Sequence, residues 1–236
     1  MVAVVNAAQT SPLESIRSLV ADTAAQDEII AAANEAAAEF GLSTPDALTT
    51  EFLTFLAARA AANATQAAHT PTAIVMSPAC GVIGLHLFQG LSMQESSVQG
   101  AGNGHVTCIE PEVQHQKLAR MAFEAAGKRQ NTFRFLPSAP LDVVGRLAQD
   151  SYDIAIADTP EEDLLRIVEA TLPALRPGGV LVLLDSLLDG LIADSSRTDR
   201  QTVAAREADS AIRDMPGVTC SRLPLGAGLT LITKHA

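Results

Sequence analysis

Aromatic side chains are nearly missing from this sequence. It has no Trp, one Tyr (Tyr152) and seven Phe, so rings make up 3% of its 236 residues. A core with so few rings has to be aliphatic, built from Ala, Val, Ile and Leu. Basic residues are also scarce, 16 Lys and Arg against 27 Asp and Glu, and the formal charge is −11. Such a chain repels phosphate, which argues against a nucleic-acid partner. There are three cysteines, Cys80, Cys108 and Cys220, an odd and widely spaced set without a CxxC pair. That excludes a disulfide framework and reads as free thiols in a reducing cytoplasm. No apolar run reaches the roughly 18 residues of a membrane span. The most apolar stretch, Val180–Leu188, is interrupted by Asp185. The opening MVAVVNAAQTSPLES lacks the basic head of a signal peptide. The expectation is a cytoplasmic protein that neither enters membranes nor binds nucleic acid.

What is present is ample apolar material: 47% hydrophobic residues exclude wholesale disorder. Residues 1–65 are Ala-rich and carry helix signals. Ser11-Pro12 with Glu14 reads as a helix start. Asp27–Phe40 puts Ile29, Ile30, Ala33, Ala37 and Phe40 on one face, with Gly41 as its cap. Thr44-Pro45-Asp46 opens a further helix.

From residue 70 the pattern alternates. Strands are predicted at Thr72–Met76, His105–Ile109, Thr132–Leu136, Tyr152–Ala157 and Val180–Leu184. The intervening helices are predicted at Gly81–Phe88, Glu112–Ala126, Leu141–Gln149 and Glu161–Leu175, with another at Thr202–Arg213. Continuous apolar strands alternating with helices mean a parallel sheet covered on both faces. Val218–Leu223 and Leu229–Thr233 are separated only by Pro224–Gly228, too short for a parallel crossover, and so form an antiparallel hairpin. Ser96–Gly104 reads as a surface loop. The expected architecture is one α/β domain: a doubly wound, seven-stranded, mostly parallel sheet (70–236) with a helical lead-in (1–65) and an antiparallel C-terminal hairpin.

Ligands of open parallel sheets bind beyond the carboxyl ends of the strands. Here those ends read Ser77-Pro78-Ala79-Cys80-Gly81, Glu110, Asp158 and Asp185-Ser186. Any one carboxylate there is as readily an ordinary surface residue; three on one edge form a candidate site. Glu110, ending the second strand, suits both hydroxyls of a ribose, and equally suits the helix dipole behind it. His86 and His115 fall within helices and read as facing a groove or solvent. Cys80 reads as a small apolar filler, and Cys108 as a core residue.

The strand-end residues and the sequence plan resemble class I S-adenosylmethionine-dependent methyltransferases. More narrowly, the chain is similar to bacterial O-methyltransferases related to the catechol and caffeoyl-CoA enzymes. The resemblance spans roughly residues 27 to 234. It is carried by Gly81-Val-Ile-Gly-Leu85, Leu118–Phe123, Tyr152–Asp158, Gly226-Ala-Gly-Leu229, and most specifically by Leu175-Arg-Pro-Gly-Gly179 through Asp185-Ser-Leu-Leu-Asp-Gly190. It implies that Ser77, Pro78, Ala79 and Gly81 wrap the methionine and ribose part of the cofactor. It further implies that Glu110 holds the ribose hydroxyls and that Ser138 and Ala139 lie near the adenine. Asp158 faces the sulfonium and the substrate, with Asp185 beside it, and these two are the implied catalytic residues. The resemblance also implies that the helix entering at Pro45 caps the pocket and that a homodimer uses the N-terminal helices, and the 186–199 segment reads as the lid. The implied substrate is a small hydroxylated molecule.

The departures are specific. The family's E-x-G-T-G-x-G loop is here Val75-Met-Ser-Pro-Ala-Cys-Gly81, so an acid and two glycines are replaced. Pro78 also removes an N–H and holds φ near about −65°. Metal-dependent members carry D-A-D-K and D-N, where this chain has Asp158-Thr-Pro-Glu161 and Asp185-Ser186. The divalent-metal set is thus incomplete, and no metal ligand is assigned. Two functions are carried forward: an O-methyltransferase using S-adenosylmethionine, and a cofactor-impaired protein of the same fold with a binding role. A nicotinamide dehydrogenase is disfavoured, because G-x-G-x-x-G is absent after the first strand.

Overall fold

The structure is a computed structural model that describes residues 11–23, 27–92 and 104–236. The Ser96–Gly104 loop, Gly104 apart, and the first ten residues lie outside the described part. Eight helices are described: α1 (Pro12–Thr23), α2 (Glu28–Glu39), α3 (Ala47–Gln66), α4 (Cys80–Ser92), α5 (Val113–Ala125), α6 (Pro140–Val143), α7 (Leu164–Thr171) and α8 (Arg200–Arg213). The strands are β1 (Thr72–Met76), β2 (His105–Ile109), β3 (Phe133–Leu136), β4 (Tyr152–Ala157), β5 (Leu175–Leu183), β6 (Val218–Leu223) and β7 (Leu229–Lys234).

They form one seven-stranded sheet in the order β3-β2-β1-β4-β5-β7-β6. The first five strands are parallel, and β7 runs antiparallel to both β5 and β6. Period-two alternation divides each central strand between two cores. Ala73 and Val75 of β1 and Ile154 and Ile156 of β4 pack with α3, α4 and α5. Ile74, Met76, Ala155 and Ala157 pack with α7 and α8. The expected doubly wound sheet with its terminal hairpin is therefore present.

Local signals explain the helix ends. Asp27 caps α2 by accepting from the Ile29 and Ile30 N–H groups, and Asp46 caps α3 through Thr49 N–H. Gly41 closes α2 with φ 68°, and Leu42 N–H reaches back to Ala37 O at 3.0 Å.

Several boundaries differ from expectation, among them the end of α4, which runs on to Ser92 rather than stopping at Phe88. The helix predicted over Leu141–Gln149 is a single turn, α6, followed by a 3-10 turn at Val144–Arg146. Gly145 weakens a segment already too short to hold a helix alone. The helix predicted over Glu161–Leu175 is regular only at α7, with 3-10 turns on either side, and Pro173 cannot continue an α-helical ladder. Strand β5 begins at Leu175 rather than Val180, because Leu175 pairs with Tyr152 before an irregularity restores register at Val180 opposite Ile154.

Four of the seven Phe are concentrated in one place. Phe88, Phe123, Phe133 and Phe135 stack between α4, α5 and β3, with Phe88 and Phe123 edge to face at 5.3 Å. Arg120 lies over Phe135 at 5.0 Å. Tyr152 is buried, and its hydroxyl accepts from Arg134 Nη2 at 2.6 Å.

Candidate active site

The chain passes outward through β1, β2 and β3, then returns to β4 on the other side of β1. That reversal opens a crevice at the carboxyl ends of β1 and β4. Ladder bonds just past the strands align their tips. Asp158 N–H donates to Met76 O at 2.8 Å, Leu184 N–H to Ala157 O at 2.8 Å, and Glu110 N–H to Leu136 O at 3.2 Å. Ser77, Glu110, Asp158 and Asp185 are thereby brought to one edge.

Each is held differently. Glu110 is 3% exposed. Its Oε1 accepts from Glu112 N–H at 2.8 Å and meets His115 Nδ1 at 3.1 Å, while Gln116 Nε2 donates to its backbone carbonyl at 2.7 Å. Oε2 accepts no bond from the described residues. Ser77 is buried, accepts from Ala79 N–H at 3.1 Å and donates to Asp158 Oδ2 at 3.0 Å. Burial pushes the Asp158 carboxyl above its usual range. The Ser77 hydrogen bond opposes that rise, and the nearby Asp185 charge adds to it.

Asp185 is exposed and sits at φ 52°, the left-handed region. Its Oδ1 accepts from Ala227 N–H at 2.7 Å, which ties the end of β5 to the hairpin turn. Leu188 (φ 49°) and Asp189 (φ 53°) share that backbone region, as do Ala68 and Asp150 at the other end of the sheet. Gly226 packs closely against Asp185 here. A side-chain carbon at that position would lie 2.6 Å from Asp185 Oδ1 and 3.6 Å from Thr49 Oγ1, at φ 56°. The start of α3 therefore lies near the hairpin turn that holds Asp185.

The remaining implied residues fall into separate groups. Pro78 is exposed, while Ala79 is buried. Gly81 meets α5: a side-chain carbon there would lie 2.9 Å from Ala119 Cα, so close helix packing alone demands glycine. Ser138 is half-buried and Ala139 exposed beyond β3, beside Glu110's ladder partner Leu136. Val75, where the resembled family carries an acid, is fully buried in the apolar core. Ser186 faces away from the crevice. It is 5% exposed, and its hydroxyl donates to Thr230 Oγ1 at 2.9 Å. Among the described residues no group of three or more metal-ligating side chains converges. The 186–199 segment is pinned to α8, where Arg206 donates to Ile192 O at 2.8 Å and to Asp194 O at 2.7 Å.

Sequence reasoning missed two participants. His115 does not face a groove or solvent alone; it reaches back from the first turn of α5 to Glu110, as a residue near a helix start can toward the strand end before it. Thr49 is 1% exposed, and its hydroxyl has no hydrogen-bond partner among the described residues. No local pattern announces it.

A doubly wound, mostly parallel seven-stranded sheet with an antiparallel terminal pair is the Rossmann-like methyltransferase fold. Comparison with known proteins is specific. A family model described as O-methyltransferase matches residues 54–235, and the chain belongs to that O-methyltransferase family. A Corynebacterium glutamicum protein of known crystal structure is 45% identical, with a TM-score of 0.86, over 96% of this chain and 98% of its own. A Mycobacteroides abscessus relative bearing an O-methyltransferase name is 29% identical over 229 residues, 97% of this chain and 99% of its own. The Streptomyces achromogenes O-methyltransferase TomG, solved with S-adenosylmethionine, shares the fold at 19% identity and a TM-score of 0.76, over 94% of this chain and 96% of its own. No described helix is long and apolar enough to cross a membrane.

Proposed function

We propose that this protein transfers a methyl group from S-adenosylmethionine to a hydroxyl of a small molecule, using the crevice at the β1/β4 switch point. The observation that carries the reading is Glu110. It is a buried carboxylate with Oε1 anchored and Oε2 without a protein partner, at the strand end where a ribose is held in folds of this kind. S-adenosylmethionine supplies an activated methyl carbon on a sulfonium when bound. Everything else is positioning and electrostatics from the chain itself. Glu110 Oε2 accepts from the ribose hydroxyls. Ser77, Pro78, Ala79 and Gly81 border the methionine side, and Ser138 and Ala139 border the adenine.

Asp158 Oδ1, which has no partner among the described residues, accepts the acceptor's hydroxyl proton as the new oxygen–carbon bond forms and the carbon–sulfur bond breaks. Asp185 adds negative charge on the same side, which suits a cationic donor and not its neutral product. The raised affinity of Asp158 for a proton fits a base that must take one. No ring of the Phe cluster lies among these site residues, which favours a non-aromatic acceptor. The protein works in the cytoplasm as one α/β domain with a helical lead-in. It pairs as a homodimer through the N-terminal helices, where Leu13, Ile16 and Leu19 are exposed; a mass of about 24.6 kDa by light scattering would refute the pairing.

The test is calorimetric titration with S-adenosylhomocysteine. Wild type should release heat and gain thermal stability, and Glu110→Gln should weaken binding by about tenfold or more, the scale of hydrogen bonds to a charged group. Absence of heat and of any thermal shift at millimolar ligand would overturn the reading.

A further inference from the structure

Ser77 occupies a position where the resembled family carries glycine, and its hydroxyl is committed at both ends. The Ala79 N–H donates to Oγ at 3.1 Å, so the hydroxyl's own proton is directed at Asp158 Oδ2, 3.0 Å away. Ser77 is 2% exposed, so its hydroxyl is buried, while Asp158 on the other side of the bond is half-buried at the crevice. The backbone adds rigidity, since Asp158 N–H bonds Met76 O, one residue before Ser77. Two strand ends are thus stitched together by one main-chain and one side-chain bond. The stitch uses Oδ2 and leaves Oδ1 as the open face of the carboxylate.

We propose that Ser77 is a positioning residue for methyl transfer: its hydroxyl, oriented by the Ala79 N–H, holds the Asp158 carboxylate charged and turned so that Oδ1 faces the crevice. This rests on the reading of the crevice as the transfer site. Burial and the charge of Asp185, from the end of β5, both favour protonation of Asp158, and the Ser77 bond is the contact that favours its ionised form. Glu110, the other acid at this edge, is engaged by His115 and Glu112 N–H. A glycine at position 77 gives a loop freedom but cannot supply this donor. The departure in the loop is therefore compensated at the neighbouring strand end.

The test has two arms. In ligand-free protein, the side-chain carboxyl carbon of Asp158 is titrated by carbon-13 NMR in wild type, Ser77→Ala and Ser77→Thr. The midpoint should move up in Ser77→Ala and return toward wild type in Ser77→Thr. In the second arm, calorimetry near pH 7 compares S-adenosylmethionine with S-adenosylhomocysteine. Ser77→Ala should lose about tenfold in affinity for the cationic ligand, the scale of a hydrogen bond to a charged group, and much less for the neutral one. In an Asp158→Asn background the same change should have no further effect, because Ser77 acts through that carboxylate. An unmoved Asp158 midpoint, equal losses for both ligands, or an undiminished loss in the Asp158→Asn background would each overturn the proposal. If Ser77→Ala loses its native circular dichroism, Ser77→Cys, a weaker donor of similar size, is read by the same two criteria. Wild type that binds neither ligand would overturn the methyltransferase reading itself, and the NMR arm alone would still decide whether Ser77 controls Asp158.

Discussion

Asp153 and Asp158 lie five residues apart at opposite ends of β4, and their surroundings are opposite in kind. At the amino end, Asp153 is ringed by donors. His69 Nε2 meets Oδ1 at 2.8 Å, Thr72 N–H and Oγ1 reach Oδ2 at 2.8 and 3.1 Å, and Arg176 Nη1 lies 3.5 Å from Oδ2. Those partners come from the segment after α3 and from β1 and β5, so one carboxylate knits three parts of the chain together. At the carboxyl end, Asp158 has a single side-chain donor among the described residues, Ser77, and a neighbouring acid that opposes its charge. A carboxylate saturated with donors is structural. One left short of donors, next to like charge, is a candidate for chemistry.

The sharpest way to break the comparison is to neutralise Asp158. Asp158→Asn should lower methyl transfer by about 10²–10⁴-fold, the range of general-base catalysis, measured under saturating cofactor. The same variant should be more stable than wild type at neutral pH. The sign follows from the raised folded-state pKa. Below the ordinary aspartate value of 3.8, Asp158 is protonated whether folded or unfolded and costs nothing. As pH rises through the folded-state pKa, wild type has to ionise a desolvated group and loses stability, and the asparagine variant does not. Urea denaturation across that range should show the variant's advantage grow with pH; an advantage that shrinks would contradict the reading.

Asp153→Ala should do the reverse. It orphans Thr72 N–H and leaves Arg176 without its carboxylate. The expected loss is about 3 kcal/mol of folding stability, with little change in turnover of the protein that remains folded. Denaturant titration beside a kinetic assay separates the two effects. The smallest effect tests whether proximity to the site matters in itself. Ser186 adjoins Asp185 but bonds Thr230. Ser186→Ala should therefore cost about 1 kcal/mol in stability and leave S-adenosylhomocysteine affinity unchanged by calorimetry.

Much of this was legible in the chain. Apolar runs separated by helical periodicity placed the parallel strands to within a residue, apart from the start of β5, since a buried parallel strand needs apolar side chains on both faces. The short Pro224–Gly228 link dictated the antiparallel pair. The acids at 110, 158 and 185 were visible as strand ends. Less visible were the breaks near Gly145 and Pro173, where helices predicted as continuous yield to 3-10 turns. Helix periodicity registers which residues are apolar, and not where packing against the sheet must stop it. His115, read as facing a groove or solvent, proved to be a partner of Glu110, because that contact depends on how α5 leaves the end of β2.

By itself, the sequence determined the class of fold, the aliphatic character of the core and the acids available to a ligand. These follow from local periodicity and composition, which act over a few residues at a time. Only the tertiary structure decided which acids are satisfied and which are not. Ser77 and Asp158 are 81 positions apart, as are Thr72 and Asp153. Whether a donor meets a carboxylate across such a distance depends on strand order and register. The same residue type therefore becomes a structural knot at one end of β4 and a candidate base at the other.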